Sequence, residues 1–251
     1  VAAALLRLSE DGHLSINDPI SHLISTTHDS LLRSGGYNPD SITWQTILNH
    51  TSGLFDYALG GPTYIQRVKQ DPTHRWTRTE QIALAMETGK PRVAGSYHYS
   101  DTGYILAGEA IEIALDTTLA AGLRQLIKFQ TLQLYTSWLE SLEPAPKDHL
   151  DVVHRYFRKE DVTEWDASID LYGGGGLMSN CKDLAVFMHS LFNNGIFQDP
   201  NTLIKMLSPA IIADEYDKEN DHQYKDYRLG LWRAEVFGMD TYLHGGIWGT
   251  G

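Results

Sequence analysis

Two short segments of the chain carry residue types suited to proton transfer and carbonyl activation. Tyr99-Ser100-Asp101 stands at the mouth of an apolar helical run, and His244-Gly245-Gly246 follows far downstream. A phenol at a helix start can exchange a proton with a hydroxyl nucleophile. A strand edge with two glycines lets backbone N–H groups come close to a substrate carbonyl. The two segments lack a nucleophile of their own. The one Ser-x-x-Lys, Ser179-Asn180-Cys181-Lys182, follows the run Gly173 to Gly176, and Ser179 reads as a helix cap. No Gly-x-Ser-x-Gly elbow occurs, which argues against a lipase-like hydrolase.

Metal chemistry finds no support in the pattern. His22, His28, His74, His98, His149, His154 and His189 show no i, i+4 pairing with a carboxylate base of the kind a zinc helix needs. Asp214, Glu215, Asp217, Glu219 and Asp221 lack the spacing and the glycine of a calcium loop. The reading is therefore no metal and no cofactor. His50 is expected to hold its own loop by hydrogen bonds, and Trp248 reads equally as a substrate wall or as edge packing.

These residues need a scaffold, and the composition allows one. The 251 residues are 42% hydrophobic and 21% charged, as in an ordinary globular protein with a sizeable core. Lys plus Arg number 20 against 32 Asp plus Glu, and the net charge of -12 repels phosphate backbones and anionic lipid surfaces. Nucleic acid is excluded as a partner, and a small-molecule or peptide substrate is expected instead. No apolar run reaches the roughly 20 residues of a transmembrane segment. The single cysteine, Cys181, rules out an internal disulfide and reads as buried helix packing.

Along the chain, an apolar helix from Val1 ends near Glu10-Asp11-Gly12, and Asn17-Asp18-Pro19 turns away from it. A short helix is expected from Trp44 to Asn49, then surface helices near Pro62 to Lys69 and Glu80 to Glu87, the latter with Thr77 and Glu80 at capping-box spacing. Thr102 to Leu115 and Leu119 to Phe129 have the apolar period of a buried helical centre. Another helix runs from Ser179 to about Phe192. Asp214 to Asp226 reads as a solvated loop. Tyr227 to Phe237 and Thr241 to Ile247 form a hairpin across Gly238-Met239-Asp240. Val1 has no capping residue ahead of it and Gly251 no strand after it, so both flanks of a larger domain are expected to lie outside the chain.

Five blocks in order make the whole resemble the serine β-lactamase and DD-peptidase family, in its class C β-lactamase-like or esterase-like branch. Val1 to Pro19, ending Leu14 to Pro19, is similar to the helix and turn that directly follow the family's Ser-x-x-Lys motif, and Ile47 to Leu54 to its His-Thr-Ser-Gly loop. Tyr99-Ser100-Asp101 resembles the Tyr-x-Asn motif, Gly174 to Asp183 the Gly-Gly-Leu helix entry, and His244-Gly245-Gly246 the Lys/His-x-Gly strand. The resemblance implies an α/β (α+β), β-lactamase/transpeptidase-like fold. It is a single incomplete domain over 1–251, with a helical lobe to about 225 and sheet strands over about 226–251.

The resemblance also implies an acyl-enzyme mechanism in which a serine attacks a carbonyl beside a lysine. Tyr99 takes the catalytic acid/base position, and His244 stands where other members carry lysine. Asp101, Gly245, Gly246 and Ile247 take substrate-binding positions, the Ile247 N–H as one oxyanion donor. Asp101 replaces the family's asparagine, an acceptor-only group in place of an amide, which suits an amine or ester substrate. The Ser-x-x-Lys expected just before Val1 is not in the sequence. Two readings follow: a serine hydrolase of an ester, amide or D-amino-acid peptide with its nucleophile outside this chain, or an inactive homologue that keeps the cleft for binding. A periplasmic or extracellular location is slightly favoured by the resemblance.

Overall fold

The computed structural model describes residues 1–149, 151–157, 159–209, 211–217 and 222–246. The helices are α1 (Ala2–Glu10), α2 (Thr26–Ser34), α3 (Trp44–Leu48), α4 (Thr63–Gln70), α5 (Arg78–Thr88), α6 (Asp101–Leu115), α7 (Leu119–Leu126), α8 (Cys181–Phe192) and α9 (Pro200–Met206). Two small strand pairs sit among them. β1 (Trp138–Leu139) pairs with β4 (Leu177–Met178), and β2 (Tyr156–Phe157) with β3 (Glu160–Asp161). An antiparallel sheet of β5 (Ile211–Asp217), β6 (His222–Tyr227), β7 (Trp232–Val236) and β8 (Met239–Leu243) closes the described part, each strand beside the next in sequence. The fold is β-lactamase/transpeptidase-like.

α6 is the axis on which the other elements are hung. Ile105, Leu106, Ala107, Ala110 and Ile111 are all fully buried, because partners cover an apolar helix on its several faces here, while Ile113 in the last turn is exposed. Each such leucine or isoleucine contributes roughly 1.5–3 kcal/mol by burial. α1, α3, α5 and α7 pack around it. Gly108 on α6 and Gly173 in the loop before β4 let two backbones touch: a Cβ at Gly108 would fall 1.9 Å from the Tyr172 carbonyl, and one at Gly173 2.2 Å from that of Tyr104. This contact holds the loop from Asp170 to Gly176 against the start of α6.

Several local expectations hold. Thr77 and Glu80 form the reciprocal capping box of α5, and Gly12 adopts φ +79° after α1. Others need correction. α5 is no surface helix, since Ile82, Leu84 and Ala85 are buried beneath α2 and α6. α8 is capped by Asn180, whose side chain accepts from the Asp183 N–H, while the Ser179 hydroxyl bonds Ser137 at 2.7 Å. Cys181 is exposed, on the face of the first turn of α8 opposite the buried Asp183. The acidic run is not a loop: residues 211–217 and 222–226 are paired strands, so the sheet begins near 211 and not 226. Charge does not prevent β pairing where a strand has one free edge, as β5 has among the described strands. The final hairpin turns at Phe237-Gly238, both at positive φ, one residue earlier than the glycine-led turn expected.

Candidate active site

The end of β6 carries the site. Tyr227 stands opposite Trp232, and Trp232 opposite Leu243, so His244, one residue further, arrives beside Tyr227. The Gly230 N–H and the Tyr104 hydroxyl both donate to the Leu48 carbonyl, at 3.1 and 2.9 Å, which ties the sheet to α3 and α6. Just past α3, His50 takes a positive φ of 58° that turns its ring inward.

The hydrogen bonds of this cluster define their own proton positions. The Ser100 N–H at the start of α6 donates to His50 Nδ1 at 3.1 Å, so the His50 proton must sit on Nε2. His50 Nε2 then donates to the Tyr227 hydroxyl, 3.1 Å away. Tyr227, also hydrogen-bonded to the Tyr104 hydroxyl, can donate to His244 Nε2 at 3.2 Å, and His244 Nδ1 then donates to the Gly245 carbonyl at 2.7 Å. The chain of donors runs in one direction with both imidazoles neutral. Burial supports that state at His50, whose pKa it pushes well below its ordinary value. The Tyr99 ring lies 4.1 Å from that of His50 and 6.2 Å from that of His244, measured between centroids. Tyr99 and His244 therefore border one space.

On the other side of Tyr99 lie three carboxyl groups. Asp56 spends its oxygens on backbone donors, Oδ1 accepting from Ala58 and Asp101 and Oδ2 from Leu59. Asp101, at the first turn of α6, is 5% exposed. Desolvation, then Asp56 and Asp170, raise its carboxyl pKa well above the usual range. Burial with the Asp56 charge lifts Asp170 to about 7. The same environment raises Tyr99, by desolvation first and the Asp101 charge second. Beside these acids the Tyr99 phenol is a proton donor, and a cation is needed before it can act as a base.

The structure thus brings together Tyr99, Asp101 and His244. Gly245 and Gly246 are exposed at the end of the described strand, and a Cβ on Gly245 would meet nothing within 4 Å. Ile247 and Trp248 lie outside the described residues. Ser179 and Lys182 sit apart at the head of α8, Lys182 exposed. Sequence reasoning gave His50 a loop-holding role and did not single out Tyr227, Asp56 or Asp170. Asp56 stands three residues after Gly53 in the His-Thr-Ser-Gly block, which was its one available signal. Among the described residues no group of three or more His, Cys, Asp or Glu is placed to hold a metal ion. No helix there is long and apolar enough to cross a membrane.

A helical lobe folded against an antiparallel sheet, with a tyrosine at a helix start facing a His-Gly-Gly strand, is the arrangement of the penicillin-recognising serine hydrolases. The Beta-lactamase family pattern matches residues 1–251, and the chain belongs to that family. Among solved structures it is similar to a D-stereospecific amidohydrolase from Streptomyces sp., at 25% identity and a TM-score of 0.76, over 99% of this chain and 72% of that one. It also resembles a D-amino acid amidase from Ochrobactrum anthropi SV3 (22% identity, TM-score 0.74, 99% and 68% of the two chains). A penicillin-binding protein from Bacillus halodurans is similar at 20% identity and a TM-score of 0.68, over 95% and 67%.

Proposed function

We propose that this chain forms most of the active site of a serine hydrolase that cleaves an ester, an amide or a D-amino-acid peptide through an acyl-enzyme. The nucleophile is a Ser-x-x-Lys serine N-terminal to Val1. The observation that carries the reading is the meeting of Tyr99 and His244, remote in sequence, across one space. In this reading the lysine supplies the cation that lets Tyr99 take the serine proton. Tyr99 returns it to the leaving group. His244, held by Tyr227, lines the cleft, and the backbone beyond Gly246 offers one N–H to the oxyanion. An amine-bearing substrate fits the carboxyl of Asp101, and the similar D-amino acid amidase complexed with D-phenylalanine supports a substrate of that class. A protein carrying the residues ahead of Val1 is expected to label with a fluorophosphonate or a penicillin probe. A folded protein of that kind that resists both overturns the reading and leaves a binding role for the cleft.

A further inference from the structure

A second set of hydroxyl, imidazole and carboxyl groups lies away from Tyr99, and the reaction above does not use it. His28 on α2 joins two other helices: its Nε2 is 3.0 Å from Thr79 Oγ1 in the first turn of α5, and its Nδ1 is 2.8 Å from Glu109 Oε2 on α6. The His28 and Glu109 side chains are 7% and 8% exposed, whereas Thr79 is open to solvent. Acid and base are covered, and the residue that carries the hydroxyl is accessible.

The chemistry of the three groups orders their protons. Burial works against charge on Glu109, but the bond from His28, the Ser25 hydroxyl and the nearby Arg78 guanidinium outweigh it and hold the carboxyl below its ordinary pKa. An ionised carboxylate only accepts, so His28 Nδ1 carries a proton and donates to it. In the neutral ring Nε2 is then an acceptor, and the Thr79 hydroxyl donates to it. That is the order in which a base draws a proton from a hydroxyl nucleophile while an acid holds the ring in place. Backbone donors stand beside it. The Glu80 N–H is taken by the Thr77 hydroxyl at 3.2 Å, whereas the Arg78 and Thr79 N–H groups have no acceptor among the described residues. Amides at the head of an 11-residue helix favour negative charge on an oxygen bound there. Glu80 follows directly and the chain carries a net charge of -12, so a neutral acyl donor is favoured over an anionic one. The same contacts tie α2, α5 and α6 together, and reactivity at Thr79 is what separates a site from a tie.

We propose that Thr79 is a second acyl-accepting hydroxyl of this chain, taking a small neutral acyl group from an activated ester, with His28 as proton acceptor and Glu109 as the residue that positions it. In the step, Thr79 Oγ1 bonds to the acyl carbon, the aryl oxide leaves with the electrons of its ester bond, and the hydroxyl proton passes to His28 Nε2. The test treats the 251-residue chain with p-nitrophenyl acetate at about pH 8 and maps the acetyl groups by peptide mass spectrometry. Thr79 is expected to be acetylated at least about tenfold faster than Thr73, an exposed threonine whose hydroxyl bonds Asp71 at 2.9 Å. Thr79→Val, a change at an exposed position, is expected to remove that adduct and leave acetylation of surface lysines unchanged. Glu109→Gln, with an unchanged circular dichroism spectrum, is expected to slow the reaction of Thr79 at least about tenfold and again to leave the lysines unchanged. The comparison with Thr73 needs no variant, so it decides the matter if Glu109→Gln does not fold. Acetylation confined to lysines, equal rates at Thr79 and Thr73, or a Thr79 rate untouched by a folded Glu109→Gln overturns the proposal. Mass mapping tells an acyl group on Thr79 from one on a serine ahead of Val1, so this proposal and the hydrolase reading can each fail alone.

Discussion

The two sides of Tyr99 are built on opposite terms. On the imidazole side, each hydrogen bond from Ser100 through His50, Tyr227 and His244 has one donor and one acceptor, and the rings pack on each other. On the carboxyl side, Asp56, Asp101 and Asp170 crowd like charges together, and Asp170 Oδ1 and the Tyr57 hydroxyl go without partners among the described residues. A satisfied network rigidifies the fold, whereas an unsatisfied one is held in place by the structure around it. The first side positions, and the second carries a standing electrostatic penalty.

The largest expected effect is on the group at the boundary. In a protein carrying the nucleophile segment, Tyr99→Phe is expected to slow acylation by about 10²–10⁴-fold with thermal stability unchanged, read as the rate of fluorophosphonate labelling. An unimpaired rate would remove Tyr99 from the chemistry. Next comes the satisfied side: His50→Ala strips the acceptor from Ser100 N–H and the donor from Tyr227, and urea unfolding should show a loss of about 3 kcal/mol. A loss below about 1 kcal/mol would mean the network is not what holds the cleft.

The two sides should also respond to pH in opposite directions. The folded state keeps His50 neutral while the unfolded chain protonates it, so the His50 contribution is present above about pH 6.5 and is lost as the pH falls. Asp170 behaves in the reverse way. The folded state holds its proton up to about pH 7, the unfolded chain releases it near pH 4, and stability falls as the pH rises through that window. Asp170→Asn is accordingly expected to raise stability at pH 8 by on the order of 2 kcal/mol, the gain vanishing toward pH 4. A gain that persists at pH 4 would show that charge is not its cause. Smallest is Tyr57→Phe, which removes an orphaned hydroxyl and should be neutral or stabilising by up to about 1 kcal/mol in the same unfolding assay. A clear destabilisation would reveal a partner for that hydroxyl.

Much of the scaffold was legible along the chain because its signals are local. The capping box of Thr77 and Glu80 and the apolar period of α6 depend only on neighbours within a few turns. Where composition stood in for pairing, the reading failed. The acidic segment looks like a loop, yet its backbone finds β6, and strand pairing is decided by a partner elsewhere in the chain. Ser179 failed for a different reason, since two adjacent residues could both cap α8 and Asn180 holds the cap.

The sequence by itself determined which residues could do chemistry: the phenol of Tyr99, the glycine-flanked imidazole of His244 and an acid at 101 in the place of an amide. Type and order are written in the chain, and five ordered motifs define the family. Only the tertiary structure decided what surrounds them. Burial sets the charge of Asp101 and Asp170, the touching backbones at Gly108 and Gly173 hold the Asp170 loop against α6, and Tyr227 reaches His50 and His244 across 177 and 17 residues of chain. Protonation and proximity depend on dielectric and distance, and neither is a property of residues taken one at a time.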